Sequence, residues 1–108
     1  MSKPYATTQP ERAVIDGMEG VIALEFGAGW CGHCQAAGPT ISAALAHFPA
    51  IEHIKVEDGS GRKLGRSFRV KLWPTLVVLR GGQELARVVR PADAEEVRQA
   101  LAQADQAA

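Results

Sequence analysis

Two cysteines stand two residues apart in the stretch Trp30-Cys31-Gly32-His33-Cys34, and Glu25 precedes Cys31 by six positions inside an otherwise apolar run. Thiols at this spacing can pass between dithiol and disulfide. One thiolate attacks a disulfide sulfur and the second thiol resolves the mixed disulfide. The two positions are not equivalent. Cys31 falls at the start of an expected helix, where unpaired N–H groups and the positive dipole end favour a thiolate, the nucleophilic form. Cys34, one turn inside, is shielded and placed to attack a mixed disulfide on Cys31. Glu25 is costly to bury in its ionised form, so a buried position suits it to hold a proton.

The thiols are available for such chemistry because the fold does not need them. A chain of 108 residues can bury roughly two-thirds of its unfolded surface in one domain without disulfides or a structural metal. Twelve Lys plus Arg balance twelve Asp plus Glu, so the net charge is zero and no basic stripe points to a nucleic-acid partner. With 46% hydrophobic and 22% charged residues, the mixture is that of a globular protein. The longest apolar run, Leu76 to Leu79, is strand-sized, far short of the ~20 residues of a membrane span. No apolar stretch near Met1 resembles a secretory signal. The resulting expectation is a cytoplasmic monomer without a membrane partner, in a compartment where a cysteine pair is more often redox-active or metal-binding than structural.

The elements that must hold these residues can be read from patterning. Gln9 to Asp16 reads as a first helix, with Pro10 in its first turn and Gly17 as its stop. Val21 to Phe26 reads as a strand buried on both faces. A helix is expected from after Cys31 to about Phe48, its apolar face formed by Ile41, Ala44, Leu45 and Phe48, with a kink at Pro39. Ile51 to Val56 is a second strand, Asp58 to Gly61 a turn, and Leu64 with Phe68 a short helix. Thr75 to Arg80, the Gly81-Gly82 turn and Glu84 to Val89 form a hairpin, which Pro91 ends. Asp93 and Glu96 form a capping box for a last helix that repeats Val97, Ala100, Leu101 and Ala104. The ends, 1–7 and 104–108, are expected to fray, apart from a weak strand option at Tyr5-Ala6-Thr7. Strands alternating with helices imply an α/β mixed sheet of four to five strands flanked by helices on both faces, in a single domain over 1–108.

On three stretches the chain resembles the thioredoxin superfamily: Phe26 to Cys34, Lys55-Val56-Glu57, and Trp73-Pro74-Thr75, with Pro74 forty residues beyond Cys34. The resemblance implies the thioredoxin fold and thiol-disulfide oxidoreductase activity. It makes Cys31 the nucleophile, Cys34 the resolving thiol, Glu25 the proton acceptor for Cys34, and Lys55 a buried lysine paired with Glu25. It makes Pro74 a cis proline facing the dithiol. Trp30, Gly32, His33, Trp73, Pro74 and Thr75 would line the groove in which an extended substrate lies by strand addition. No cofactor is implied, because the dithiol carries the electron pair. The implied partners are protein disulfides and an NADPH-dependent thioredoxin reductase.

Three positions depart from the family pattern. Gly27 stands where many relatives carry Trp or Tyr, which would leave the active surface short of one aromatic. Arg90-Pro91 replaces a Gly-containing loop, so that Arg90 would favour acidic partners or simply reach into solvent. His33 replaces a proline of familiar thioredoxins, and Cys-Gly-His-Cys is typical of protein disulfide isomerase domains. An imidazole there would stabilise the Cys31 thiolate and place the potential between about −270 mV for thioredoxin and about −180 mV for the isomerase. A disulfide oxidase or isomerase is thus the alternative to a reductant. A zinc module using Cys31, Cys34, His33 and His47 or His53 is a remote one, since His33 lies between the cysteines and no finger-like His pair follows.

Overall fold

The computed structural model describes residues 3–107. Its elements follow the expected order: α1 (Arg12–Asp16), β1 (Val21–Gly27), α2 (Gly32–Leu45), β2 (Glu52–Glu57), α3 (Lys63–Ser67), β3 (Thr75–Arg80), β4 (Gln83–Val89) and α4 (Ala94–Ala107). The strands form one mixed sheet in the order β2-β1-β3-β4, with β1 parallel to β2 and antiparallel to β3.

Alternation along the two central strands builds both sides of the core. Val21 and Ala23 of β1 and Leu76 and Val78 of β3 join Ile41 and Leu45 of α2 and Val97 and Leu101 of α4. The intervening Ile22, Leu24, Phe26, Val77 and Leu79 pack with Ile15 of α1 and with Leu64 and Phe68 on the opposite face. Side chains at successive strand positions point to opposite faces, so Glu25 continues the row of Val21 and Ala23 toward α2. Among the described residues no helix is long and apolar enough to cross a membrane.

Several boundaries differ from those expected. α1 starts at Arg12 because Gln9 is engaged elsewhere: its side chain donates to Glu57 O at 3.0 Å and accepts from Leu64 N at 3.1 Å. α2 runs through Pro39 as one element. Pro39 is exposed, so water can meet the carbonyl that loses its intrahelical donor. The helix ends at Leu45, where His47 and Phe48 turn back with bonds to Ala44 O and Leu45 O. In the hairpin, Gly81 and Gly82 have φ of 57° and 80°, the left-handed pair that a tight two-residue turn demands. Asp93 accepts from Glu96 N and Glu96 accepts from Ala92 N, closing the start of α4.

Secondary structure reaches into both segments expected to fray. α4 continues to Ala107, because Ala104 is fully buried on the row of Val97 and Leu101. At the other end Ala6 makes a single parallel bridge to Val56, with both backbone bonds at 2.9 Å, rather than a fifth strand. Met1, Ser2 and Ala108 lie outside the described residues.

Candidate active site

Cys31 is the N-cap of α2 in an extended conformation, and its sulfur accepts the Cys34 N–H at 3.3 Å. A helix start has backbone donors without intrahelical partners, and here a sulfur satisfies one of them. Both cysteines are free thiols; Cys34 is shielded as expected, with 3% exposed, and Cys31 is more enclosed than its role as attacking thiol suggested, with 8% exposed. The Cys34 thiol is pushed up to about 11, first by burial and next by hydrogen bonding with Cys31. It is therefore protonated at neutral pH and needs a base to attack.

The strand–cysteine–helix unit faces the loop before β3. The Trp73–Pro74 peptide bond is cis, and Trp73 packs on the cluster of Ala28, Cys31 and Cys34. Trp73 is held from three sides. Its indole N–H donates to Asp58 at 2.9 Å, Trp30 meets it edge-on at 5.6 Å between ring centroids, and its carbonyl accepts from Arg90 Nε at 2.8 Å. Arg90 remains exposed while its side chain bonds the groove backbone, with a second bond from Arg90 N to Pro74 O. Trp30 is 74% exposed and forms the outer lip. Thr75 is buried and donates to Leu72 O at 2.6 Å, which fixes the turn into β3. Gly32 and His33 occupy the exposed first turn of α2, and His33 shares a shallow cleft with Thr40 and Arg90.

Glu25 is fully buried in β1, a central strand. Its two oxygens have different partners: Tyr5 donates to Oε2 at 2.5 Å, and His53 Nε2 lies 2.8 Å from Oε1. Lys55 is buried beside Glu25 in register, but its ammonium sits 4.3 Å over the Tyr5 ring rather than on the carboxylate. The pairing of Lys55 with Glu25 is corrected accordingly, since tyrosine and histidine have taken the oxygens. The Tyr5 hydroxyl is raised well above its ordinary range by burial first and then by the Glu25 charge and hydrogen bond.

Tyr5 also answers the missing aromatic at Gly27. A Cβ on Gly27 would stand 2.6 Å from the Tyr5 hydroxyl and 2.7 Å from Cys34 Sγ. The glycine leaves room for an aromatic that arrives from the N-terminal segment instead of from β1. Tyr5 and Asp58 are site residues that sequence reasoning passed over, and His53, weighed there only as a remote zinc ligand, sits on Glu25 instead. Behind the dithiol, Tyr5, Ala28, Cys34, Pro39 and Lys55 line a cleft of about 470 Å³. Among the described residues no group of three or more His, Cys, Asp or Glu is arranged to hold a metal.

A reduced cysteine pair at a helix start, opposed by a cis-proline loop on a β2-β1-β3-β4 sheet, defines a dithiol protein of the thioredoxin fold. The chain belongs to the thioredoxin family, whose model matches residues 5–103. It is similar to thioredoxin 2 of Pseudomonas aeruginosa in its reduced form, at 48% identity and a TM-score of 0.86, covering 98% of this chain and 99% of that one. Thioredoxin H2-1 of Oryza sativa subsp. japonica is 31% identical over 75% of this chain and 58% of the relative. Thioredoxin of Chlamydia pneumoniae is 32% identical over 70% of this chain and 74% of the relative. The chain spans about three-fifths of the length of the first two plant relatives it matches.

Proposed function

We propose that the protein is a thiol-disulfide oxidoreductase that reduces protein disulfides. The observation that carries this reading is the asymmetry of the pair. Cys31 caps a helix start, while Cys34 is held as a thiol by burial. Cys31, as thiolate, attacks a substrate sulfur and displaces one substrate thiolate. Cys34 then attacks Cys31, the second substrate thiolate leaves, and the Cys31–Cys34 disulfide remains. Two electrons pass to the substrate, so the dithiol is the carrier and no resident cofactor enters the reading. Trp30, Trp73, Pro74 and Thr75 hold the substrate backbone, with Gly32 allowing close approach. An NADPH-dependent thioredoxin reductase restores the dithiol, and the protein acts as a cytoplasmic monomer.

His33 supports the oxidase or isomerase alternative, because a cation there stabilises the thiolate and raises the potential. Its exposed position weakens that effect, since water and salt screen an exposed charge. Equilibration in glutathione buffers with a readout of the Cys31–Cys34 disulfide separates the two roles. A potential between about −270 and −180 mV, with reduction of the oxidised protein by NADPH and a thioredoxin reductase, is the expected result. A potential above that range, with no turnover by the reductase, would replace the reductant by the oxidant.

A further inference from the structure

We propose that Tyr5 relays the Cys34 proton to Glu25 during resolution of the mixed disulfide, with His53 positioning the Glu25 carboxylate that receives it. The inference rests on the dithiol-exchange reading and concerns only its second step.

Three placements carry it. Tyr5 Oη donates to Glu25 Oε2 at 2.5 Å, with Glu25 fully buried. The same hydroxyl and Cys34 Sγ both lie within 2.7 Å of the one point where a Gly27 side chain would begin, so thiol and hydroxyl are near neighbours, and each bears on the other's protonation. A tyrosine oxygen can accept one proton while it donates another, as a relay requires. His53 Nε2 lies on Oε1, the oxygen that Tyr5 leaves free. The 2.8 Å contact serves both protonation states of Glu25, because Oε1 can accept from the imidazole N–H whether Oε2 is ionised or protonated.

The step balances without an outside reagent. As Cys34 Sγ bonds to Cys31 Sγ, the Cys31–substrate S–S bond breaks and the substrate leaves as a thiolate. The Cys34 proton passes to Tyr5 Oη, and the Tyr5 proton passes to Glu25 Oε2. Tyr5 ends as it began, and Glu25 returns its proton to solvent before the next turnover. The charged and titratable groups around this path are Glu25 from β1, Cys31 from α2, His53, Lys55 and Glu57 from β2, and Lys3 and Tyr5 from the N-terminal segment.

Stopped-flow reaction of the reduced protein with 5,5′-dithiobis(2-nitrobenzoate) tests the proposal, because it releases two chromophoric thiolates in sequence. The first reports Cys31 attack and the second reports Cys34 resolution. In Y5F the first phase should stay within twofold of the parent. The second should slow by about 10²-fold at pH 7, the lower range of a lost proton transfer, with the gap closing as pH rises toward the titration of Cys34. H53A should slow the second phase less, and H53Q should restore part of the loss by keeping a donor on Oε1. An unchanged second phase in Y5F overturns the relay. A second phase slowed by one constant factor at every pH also overturns it, since that is the mark of lost packing alone. Absence of the first phase in the parent would instead overturn the dithiol reading beneath it.

Discussion

Gly27→Ala is a one-carbon change aimed at the contact between the N-terminal segment and the redox helix. The new Cβ would stand 2.6 Å from Tyr5 Oη, 2.7 Å from Tyr5 Cζ and 2.7 Å from Cys34 Sγ, distances that no carbon tolerates. Something must move, and the two sides differ in stiffness. Cys34 belongs to a 14-residue helix buried along one face, whereas Tyr5 hangs on a segment joined to the sheet by the bridge at Ala6. Tyr5 should therefore be displaced. Overpacking costs about 1–3 kcal/mol, and losing a hydrogen bond to a charged group costs about 1.5–3 kcal/mol. A destabilisation of about 2.5–6 kcal/mol follows, or a Tm lower by about 10–25 °C at this chain length. Thermal or urea unfolding of the reduced protein measures it. The decisive control is Gly27→Ala in a Tyr5→Ala background, where only the Cys34 contact remains. The cost there should fall by at least about 1.5 kcal/mol, read as the coupling of a double-mutant cycle. A cost equal in both backgrounds, or below about 0.5 kcal/mol in the parent, would refute the placement of Tyr5 against Gly27.

Four further outcomes are expected. With Cys31 replaced by Ser, alkylation of Cys34 by iodoacetamide should still be rising with pH above about 9, because burial, the largest cause of its raised value, remains when the Cys31 thiol is gone; a plateau near pH 8–9 would contradict its burial. The same shift bears on stability: the folded state favours the thiol, so the contribution is complete below the ordinary value of 9.0 and is lost as pH rises through about 11. The urea midpoint of the reduced protein should accordingly fall between pH 9 and 11. Leu101→Ala, at a fully buried position of α4, should cost about 2–5 kcal/mol by urea unfolding, with the rate of Cys31 alkylation unchanged. Arg90→Ala frees the Trp73 carbonyl from its 2.8 Å bond, and the KM for a protein disulfide should fall about three- to tenfold, the value of one hydrogen bond, with kcat unchanged; an unchanged KM would mean that the substrate does not use that carbonyl.

Much of the site was legible because it depends on local pattern. The cysteine spacing, the apolar run around Glu25 and the Trp73-Pro74-Thr75 turn each place a residue on its own element, and the element order followed from period and turn residues. The unreadable part is what depends on contact across the chain. Nothing near Tyr5 signals a partner twenty residues away, since the segment around it is polar and carries no repeat. Lys55 and His53 are two apart on one strand and so share a face, and which of them takes the Glu25 oxygen is decided by reach in three dimensions. Arg90 is exposed, as a long cation in a loop usually is, but its bond to the Trp73 carbonyl could not be read from the sequence. The early start assigned to α1 failed for the same reason, as Gln9 spends its amide on β2 and α3 rather than on its own helix.

The order of the sheet leaves two strands with one unpaired side each, β2 and β4. Bare strand edges are templates for self-association, a hazard for a protein whose proposed work is to accept another chain's extended backbone. Each edge is blunted by different means. Ala6 occupies the outer side of β2 at Val56, leaving no continuous ladder there. β4 carries a register shift opposite Val78/Leu79 and the Glu84–Arg87 ion pair at 2.8 Å on its outer run, both of which discourage a second copy from docking. On the proposed function, the backbone stretch left for intermolecular pairing is the short one beside the thiols, where an added chain would bring its sulfur to Cys31.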